Sequence, residues 1–346
     1  MKNARQTLTA IGWRYTIFGV FFLVFPQIVI ALLTHFAPAW TNKNYVYVAL
    51  GLTALTVDFL GFPMVYLLTK NVPKAQIEKK RLGFWKFMLC ILIMAGLVII
   101  GVMVGLPYHL ILTTPFSEAA GDVIGLTELM QGSNIFVRAL VVGILAPIFE
   151  ELLFRKLMVD RLAPKGEVVA IVTSGVTFGL FHGNFQQGFM AALIGMFFAY
   201  VYIRTGRVIY TIGFHMALNL TTSVITTTLI MKAEKGLTLA QSGNSTALQN
   251  LLTNSPKDFW ALILAEAWTL FLMFIAFAGI VALIVSIIVI KSKKQKIFRP
   301  VPGAENFDAQ ALAMVSSWGL WLFYIVCLVK FAETYLPPII KTITKM

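Results

Sequence analysis

Charge is what this sequence is shortest of. Of its 346 residues only 12% are Asp, Glu, Lys or Arg, and 58% are hydrophobic. Soluble domains carry about 25% charged residues. With a mean hydropathy of +0.82, the composition excludes a soluble domain and implies an integral membrane protein. Cysteine is nearly absent. Cys90 and Cys327 both lie in apolar runs and give neither a disulfide framework nor a thiolate metal site. No internal repeat is visible, which weighs against the duplicated architecture of many secondary transporters. No cleavable signal peptide is expected, because the apolar run after the basic stretch Met1 to Arg14 is long enough to span and stay. The net charge is +13, and in a membrane protein what matters is where the cations sit. They fall in connections that alternate with apolar runs, so a lipid bilayer is the expected partner and nucleic acid is not.

A helix needs about 20 apolar residues to cross a bilayer. Nine stretches qualify as candidates: 15–37, 46–69, 84–106, 135–158, 167–184, 188–204, 208–231, 259–290 and 312–336. With the N-terminus inside, every even-numbered connection is basic: Lys70 to Lys86, Lys156 to Lys165, Arg204 with Arg207, and Lys291 to Arg299. The odd connections are poor in Lys and Arg, and 107–133 carries only acids. This is the positive-inside pattern. The expected fold is therefore an all-α polytopic membrane protein with about nine transmembrane helices and a cytoplasmic N-terminus. It divides into an N-terminal three-span region (1–134), a four-helix catalytic core (135–231), and an external loop with two C-terminal spans (232–346). A short interfacial helix is expected around Ser117 to Gln131, a mobile polar loop at 232–257, and a basic linker at 291–310. Arg138, near the outer end of the fourth span, is expected to snorkel. The small residues Gly188, Ala192, Gly195 and Ala199 read as a helix-packing face.

Against this apolar background the polar residues stand out. Glu150 and Glu151 sit together inside the fourth span, where each ionisable group costs roughly 2.5–3.5 kcal/mol on insertion scales. Neighbours on a helix point about 100° apart, so the two cannot face one target, whereas residues four apart share a face. Glu151 and Arg155 thus read as an ion pair, and Glu150 is left free. Two further pairs follow, each inside an apolar helix. Phe178 lies four before His182 and can brace it, and His215 shares a face with Asn219. Of the four histidines, only these two lie within spans; His35 and His109 are at span ends. Reckoned at about 1.5 Å per residue from the cytoplasmic ends, Glu150, His215 and Asn219 cluster in a mid-to-inner layer, and His182 falls about two turns deeper. Asp58 is a stray intramembrane acid that either pairs with a polar group of the core or lines the cavity entrance.

Such a set suits water activation beside a carbonyl. A carboxylate in low dielectric is a competent general base near neutral pH. Glu150 takes that role, with His182 holding the same water and shuttling a proton to a leaving amine. His215 and Asn219 offer N–H donors for the oxyanion of a tetrahedral intermediate. Together they give peptide hydrolysis without a covalent intermediate. A zinc version with Glu150, His182 and His215 as ligands stays open, but no His-Glu-x-x-His helix is present and the base would move to Glu151, so the metal-free version is favoured. Two other classes remain: a non-catalytic peptide-binding scaffold or immunity protein, and a transporter using Glu150 and His182 as a proton relay.

Glu150-Glu151-x-x-x-Arg155, Phe178-x-x-x-His182 and His215-x-x-x-Asn219, in this order, resemble the three motifs of the CPBP (Abi) intramembrane proteases, the family of CAAX prenyl proteases and bacteriocin-processing or self-immunity proteins. Ala146-Pro147 before the acids supports the likeness, which covers about residues 135–225. The resemblance implies a CAAX-protease-like endopeptidase. It matches Glu150 and His182 to the residues that activate water, and His215 and Asn219 to the oxyanion hole. It implies peptide or lipidated-protein substrates, namely prenylated C-terminal peptides, bacteriocin or pheromone leaders, or membrane-protein segments. It also brings the family's own question of glutamate-type against metalloprotease chemistry. The expected location is a bacterial-type plasma membrane, with the cavity facing the cytoplasm.

Overall fold

A computed structural model describes residues 3–113, 130–242 and 245–345. Every regular element among them is helical. The first, α1 (Ala4–Phe36), starts well before residue 15 because Asn3 and Gln6 close a reciprocal cap: the Gln6 amide donates to Asn3 Oδ1 at 2.8 Å and the Asn3 amide to Gln6 Oε1 at 3.2 Å. The short α2 (Pro38–Lys43) leads into α3 (Tyr45–Thr69), then α4 (Phe84–Thr113), α5 (135–162), α6 (Glu167–Phe181), α7 (Phe185–Thr205) and α8 (Val208–Gln241). The chain ends with α9 (Ser245–Asn254), α10 (Pro256–Ser292), α11 (Phe307–Val315) and α12 (Trp318–Lys345).

Seven of these helices are long and apolar enough to cross a membrane, rather than nine. The expected fourth and fifth spans are the two that fall short. The fourth, α5, is diluted by Arg138, Glu150, Glu151, Arg155 and Lys156. The fifth, α6, has 15 residues and reaches only about 22 Å. Both run through the protein interior. From Glu151 to Leu162 and from Val169 to Phe181 most side chains are buried, so neighbouring helices take the place of lipid. The expected ninth span also shortens, since the chain breaks at Ser316–Ser317 and restarts at Trp318.

The stretch expected to be a mobile loop is helical instead. Helix α8 continues to Gln241 because its extension has something to lie on. Trp268 Nε1 of α10 donates to Thr226 Oγ1 (2.9 Å), Lys235 pairs with Asp258 (3.1 Å), and Gly236 leaves room for Leu262. Arg138 does not snorkel either. It is 2% exposed and turned inward, donating to the Met130 carbonyl and to Thr228 Oγ1 at 2.7 Å. The interfacial helix proposed for 117–131 falls almost wholly outside the described residues.

Helix α7 lies between α6 and α4; α10 covers α4, and α12 pairs with α1. Close approach at these seams depends on glycine. Gly12 meets the backbone of Gly319, Gly96 meets that of Gly279, and Gly179 faces Gly188 and Ala192. One buried cluster joins Leu8, Tyr15 and Phe18 of α1 to Leu153 and Phe154 of α5, Phe178 of α6, Tyr202 of α7 and Phe323 of α12. Both C-terminal spans are thus packed against the rest of the chain. At the basic end, Glu167 pairs with Arg204 (2.7 Å) and accepts from the Arg299 amide (2.7 Å), while Ala75 donates to the Asp160 carbonyl (2.6 Å). These contacts hold the basic connections 70–83 and 293–306 against the inner helix ends.

A Cβ on Gly319 would overlap the carbonyl of Thr9. Gly319→Val is therefore expected to cost about 1–3 kcal/mol, read as a lowered Tm in detergent. Gly51→Ala, where nothing lies nearby, is expected to leave Tm unchanged or slightly raised.

Candidate active site

Four stretches of the bundle widen from α to π geometry: 55–61 in α3, 139–145 and 152–159 in α5, and 220–226 in α8. Each touches a motif. The first contains Asp58, the second leads into Pro147 and Glu150, the third contains Arg155, and the fourth follows Asn219. Such widenings free backbone groups and often mark functional sites. The carbonyls of Leu153 and Phe154 in the third accept from Tyr15 Oη (2.6 Å) and Ser174 Oγ (2.9 Å), side chains of α1 and α6.

Pro147 explains the position of Asn219. In the widened register a carbonyl pairs with the amide five residues on, as Val141 does with Ala146. For Val142 the fifth residue is Pro147, which has no N–H. Its carbonyl accepts instead from Asn219 Nδ2 at 2.9 Å. Asn219 therefore ties α8 to α5 with one amide hydrogen and keeps a second for another partner.

Glu151 is the centre of the polar group. Its Oε2 lies 3.0 Å from Arg155 Nε, with neither side chain exposed, and its Oε1 lies 3.1 Å from His215 Nδ1. Arg155 Nη1 and Nη2 have no hydrogen-bond partner among the described residues. The guanidinium lies instead over the rings of Phe178 (4.6 Å) and Phe198 (5.6 Å). An ionised carboxylate only accepts, so His215 Nδ1 carries a hydrogen and Nε2 is turned outward. There it meets Glu150 Oε2 at 3.7 Å. Glu150 keeps 16% side-chain exposure and Glu151 none. Contrary to the expectation that the two adjacent acids cannot face one target, they flank opposite edges of one imidazole, because His215 is reached from two sides.

His182 joins the group through Phe178, whose ring stands edge-on to His182 (centroids 4.8 Å apart, 87°) and to His215 (5.7 Å, 88°). His182 Nδ1 lies 2.9 Å from the Phe178 carbonyl. Because a carbonyl only accepts, Nδ1 is the protonated nitrogen and Nε2 presents a lone pair in the neutral ring. Gly183, at φ +68°, ends α6 directly after His182 and holds the imidazole at the helix end. The two-turn mismatch in depth is closed in the folded bundle.

Glu150, Glu151, Arg155, Phe178, His182 and His215 thus form one assembly, and Asn219 braces it from α8. Asp58 is 2% exposed, and among the described residues its Oδ1 has no hydrogen-bond partner. Sequence reasoning missed Phe198, which flanks both Arg155 and His215 (5.8 Å); a Phe in a Phe-rich apolar helix carries no distinguishing signal. It also missed the Asn219–Val142 bond, for which Pro147 was the available clue. Among the described residues no three His, Cys, Asp or Glu side chains are gathered at metal-ligand spacing.

Residues 132–221 match the family described as type II CAAX prenyl endopeptidase Rce1-like. In Bacillus subtilis (strain 168), the protein named "Putative membrane peptidase YdiL" is 32% identical to this chain over 104 residues. The matched stretch covers 30% of this chain and 39% of that protein, so the chain spans about two fifths of its relative. No solved structure matches. The resemblance to the CPBP membrane proteases read from the motifs is borne out across this segment.

Two stability predictions follow from the geometry. Glu151→Gln leaves Arg155 charged, buried and without its counter-ion, and is expected to cost about 3–5 kcal/mol. Pairing it with Arg155→Met is expected to recover much of the lost Tm. Asn219→Leu orphans the Val142 carbonyl and is expected to cost about 1–3 kcal/mol. In a Pro147→Ala background, where the residue 147 amide can take that carbonyl, the penalty is expected to shrink; a double-mutant cycle on Tm measures the difference.

Proposed function

We propose that this protein is an intramembrane endopeptidase that hydrolyses peptide bonds of membrane-associated or lipidated substrates with a water activated by Glu150. The observation that carries the reading is His215 held between two carboxylates, 3.1 Å from Glu151 and 3.7 Å from Glu150, at the one motif acid that keeps solvent contact. The family match over 132–221 supports the same class of chemistry.

In the proposed reaction Glu150 takes a proton from water held also by the lone pair of His182 Nε2, and the hydroxide oxygen attacks the scissile carbonyl carbon. The resulting oxyanion is stabilised by the second amide hydrogen of Asn219 and by His215 Nε2–H. With Nδ1–H directed at Glu151, donation from Nε2 requires the doubly protonated ring, whose two N–H groups face Glu151 and Glu150. Glu150 then returns its proton to the leaving nitrogen as the C–N bond breaks. Arg155 keeps Glu151 ionised, and Phe178 sets both imidazoles. We place the protein in a bacterial-type plasma membrane with the site opening toward the cytoplasm, following the basic connections.

Glu150→Gln is expected to lower turnover of a fluorogenic prenylated CAAX peptide by about 10²–10⁴-fold while Tm stays near that of the native protein. Undiminished turnover would overturn the assignment. The native protein, analysed for metal and assayed in a strong chelator, is expected to retain activity without stoichiometric zinc. Chelator-sensitive turnover with one zinc per chain would make Glu150, His182 and His215 ligands and move the base to Glu151.

A further inference from the structure

Asp58 is a buried acid that the proposed reaction does not use. It lies in the widened stretch 55–61 of α3, is 2% exposed, and its Oδ1 finds no hydrogen-bond partner. A carboxyl at this depth without a partner is costly and is rarely kept without a use. Its surroundings suggest what the use is. Phe59 and Phe62, one and four residues after it, lay their rings against Phe149 at 5.7 Å and 5.8 Å. Phe149 directly precedes Glu150. The stretch 55–61 packs against residues 146–151, the segment of α5 that carries Glu150. The orphaned oxygen therefore lies on the helix stretch that abuts the proposed base's own.

A peptide drawn into a bilayer-embedded site must pair its own backbone N–H groups, since water is scarce there. The site offers donors to such a peptide in Asn219 and His215, and Glu150 is occupied with water. With the lone pair of His182 Nε2 also given to the water in the proposed reaction, a carboxylate on the facing helix supplies an acceptor for a substrate amide. We infer that Asp58 is a further substrate-binding residue of this site, accepting a backbone N–H of the peptide whose scissile bond lies over Glu150. Asp58 sits within the π stretch 55–61, which packs against 146–151 of α5, while Gly61 lies close under Phe18. The inference rests on the protease reading for the class of ligand.

Binding tests it without requiring turnover. The probe is a fluorescent farnesylated peptide ending in a CAAX sequence, titrated by anisotropy against Glu150→Gln protein with Asp58 intact, with Asp58→Asn and with Asp58→Ala. The Asp58→Ala protein is expected to bind at least tenfold more weakly. Asp58→Asn, which keeps a carbonyl acceptor and nearly the same shape, should fall in between, and it keeps the test valid should the alanine variant fail to fold. Peptides N-methylated at successive amides around the scissile bond then locate the contact. One position is expected to weaken binding about tenfold when Asp58 is present and to have no effect on the Asp58→Ala protein, a coupling that a merely structural acid would not produce. No binding to the Asp58-intact protein, equal binding by all three, or N-methyl penalties independent of residue 58 would overturn the inference. Failure of the protease reading shows separately, as no cleavage of the same probe by the native protein.

Discussion

Much of this structure depends on a single carboxylate in a place where carboxylates are expensive. Glu151 has no exposure, and its two oxygens are divided between Arg155 at 3.0 Å and His215 at 3.1 Å. Neither contact would hold a charge at that depth alone; together they neutralise it and connect two helices. The consequences spread from there. His215 is fixed in tautomer and direction, so Nε2 points to Glu150. The guanidinium, short of hydrogen-bond acceptors, spreads over Phe178 and Phe198. Phe178 in turn sets His182. A pair that lies on one helix thus organises side chains on α6, α7 and α8, and removing one member leaves an unpaired buried charge rather than a small defect.

The helices around this pair are deliberately irregular. Widened turns expose carbonyls that a regular helix would consume, and each exposed carbonyl identified here has a side-chain donor from another helix: Tyr15 on Leu153, Ser174 on Phe154, Asn219 on Val142. In an apolar protein, where hydrophobic burial does little to choose between helix partners, such bonds supply specificity. Glycine seams do the remaining work by letting backbones meet, as at Gly12 with Gly319 and Gly96 with Gly279.

What could be read from the sequence follows the same division. Apolar runs announce helices, so the all-α membrane fold and most span positions were legible. Count was less so, because α5 carries the polar residues of the site and α6 is short, and both depend on protein rather than lipid for their surroundings. Spacing by four revealed Glu151 with Arg155 and Phe178 with His182, since those are contacts within one helix. Contacts between helices were not legible: that Glu151 rather than Glu150 holds His215 Nδ1, or that Phe198 completes the Arg155 cradle, depends on how α5, α7 and α8 are rotated against one another. Polar composition misled at 232–257, where Ser, Thr and Asn suggested a loop, yet Ala, Leu, Lys, Glu and Gln sustain a helix once α10 gives it a surface.

Two neighbouring glutamates with opposite surroundings are the clearest statement of how the site divides its labour. An acid meant to hold geometry gains from complete burial, because low dielectric strengthens its bond to Arg155 and fixes His215. An acid meant to move protons loses from it, since water must reach the group and its charge must be able to come and go. Glu151 has the first environment and Glu150, still 16% exposed, the second. The roughly 100° between successive residues on a helix is enough to put one side chain into the packed interior and leave the next partly exposed. Adjacency in sequence therefore does not make the two acids interchangeable. In the proposed reaction the buried acid is a fixed reference from which the proposed base is aimed.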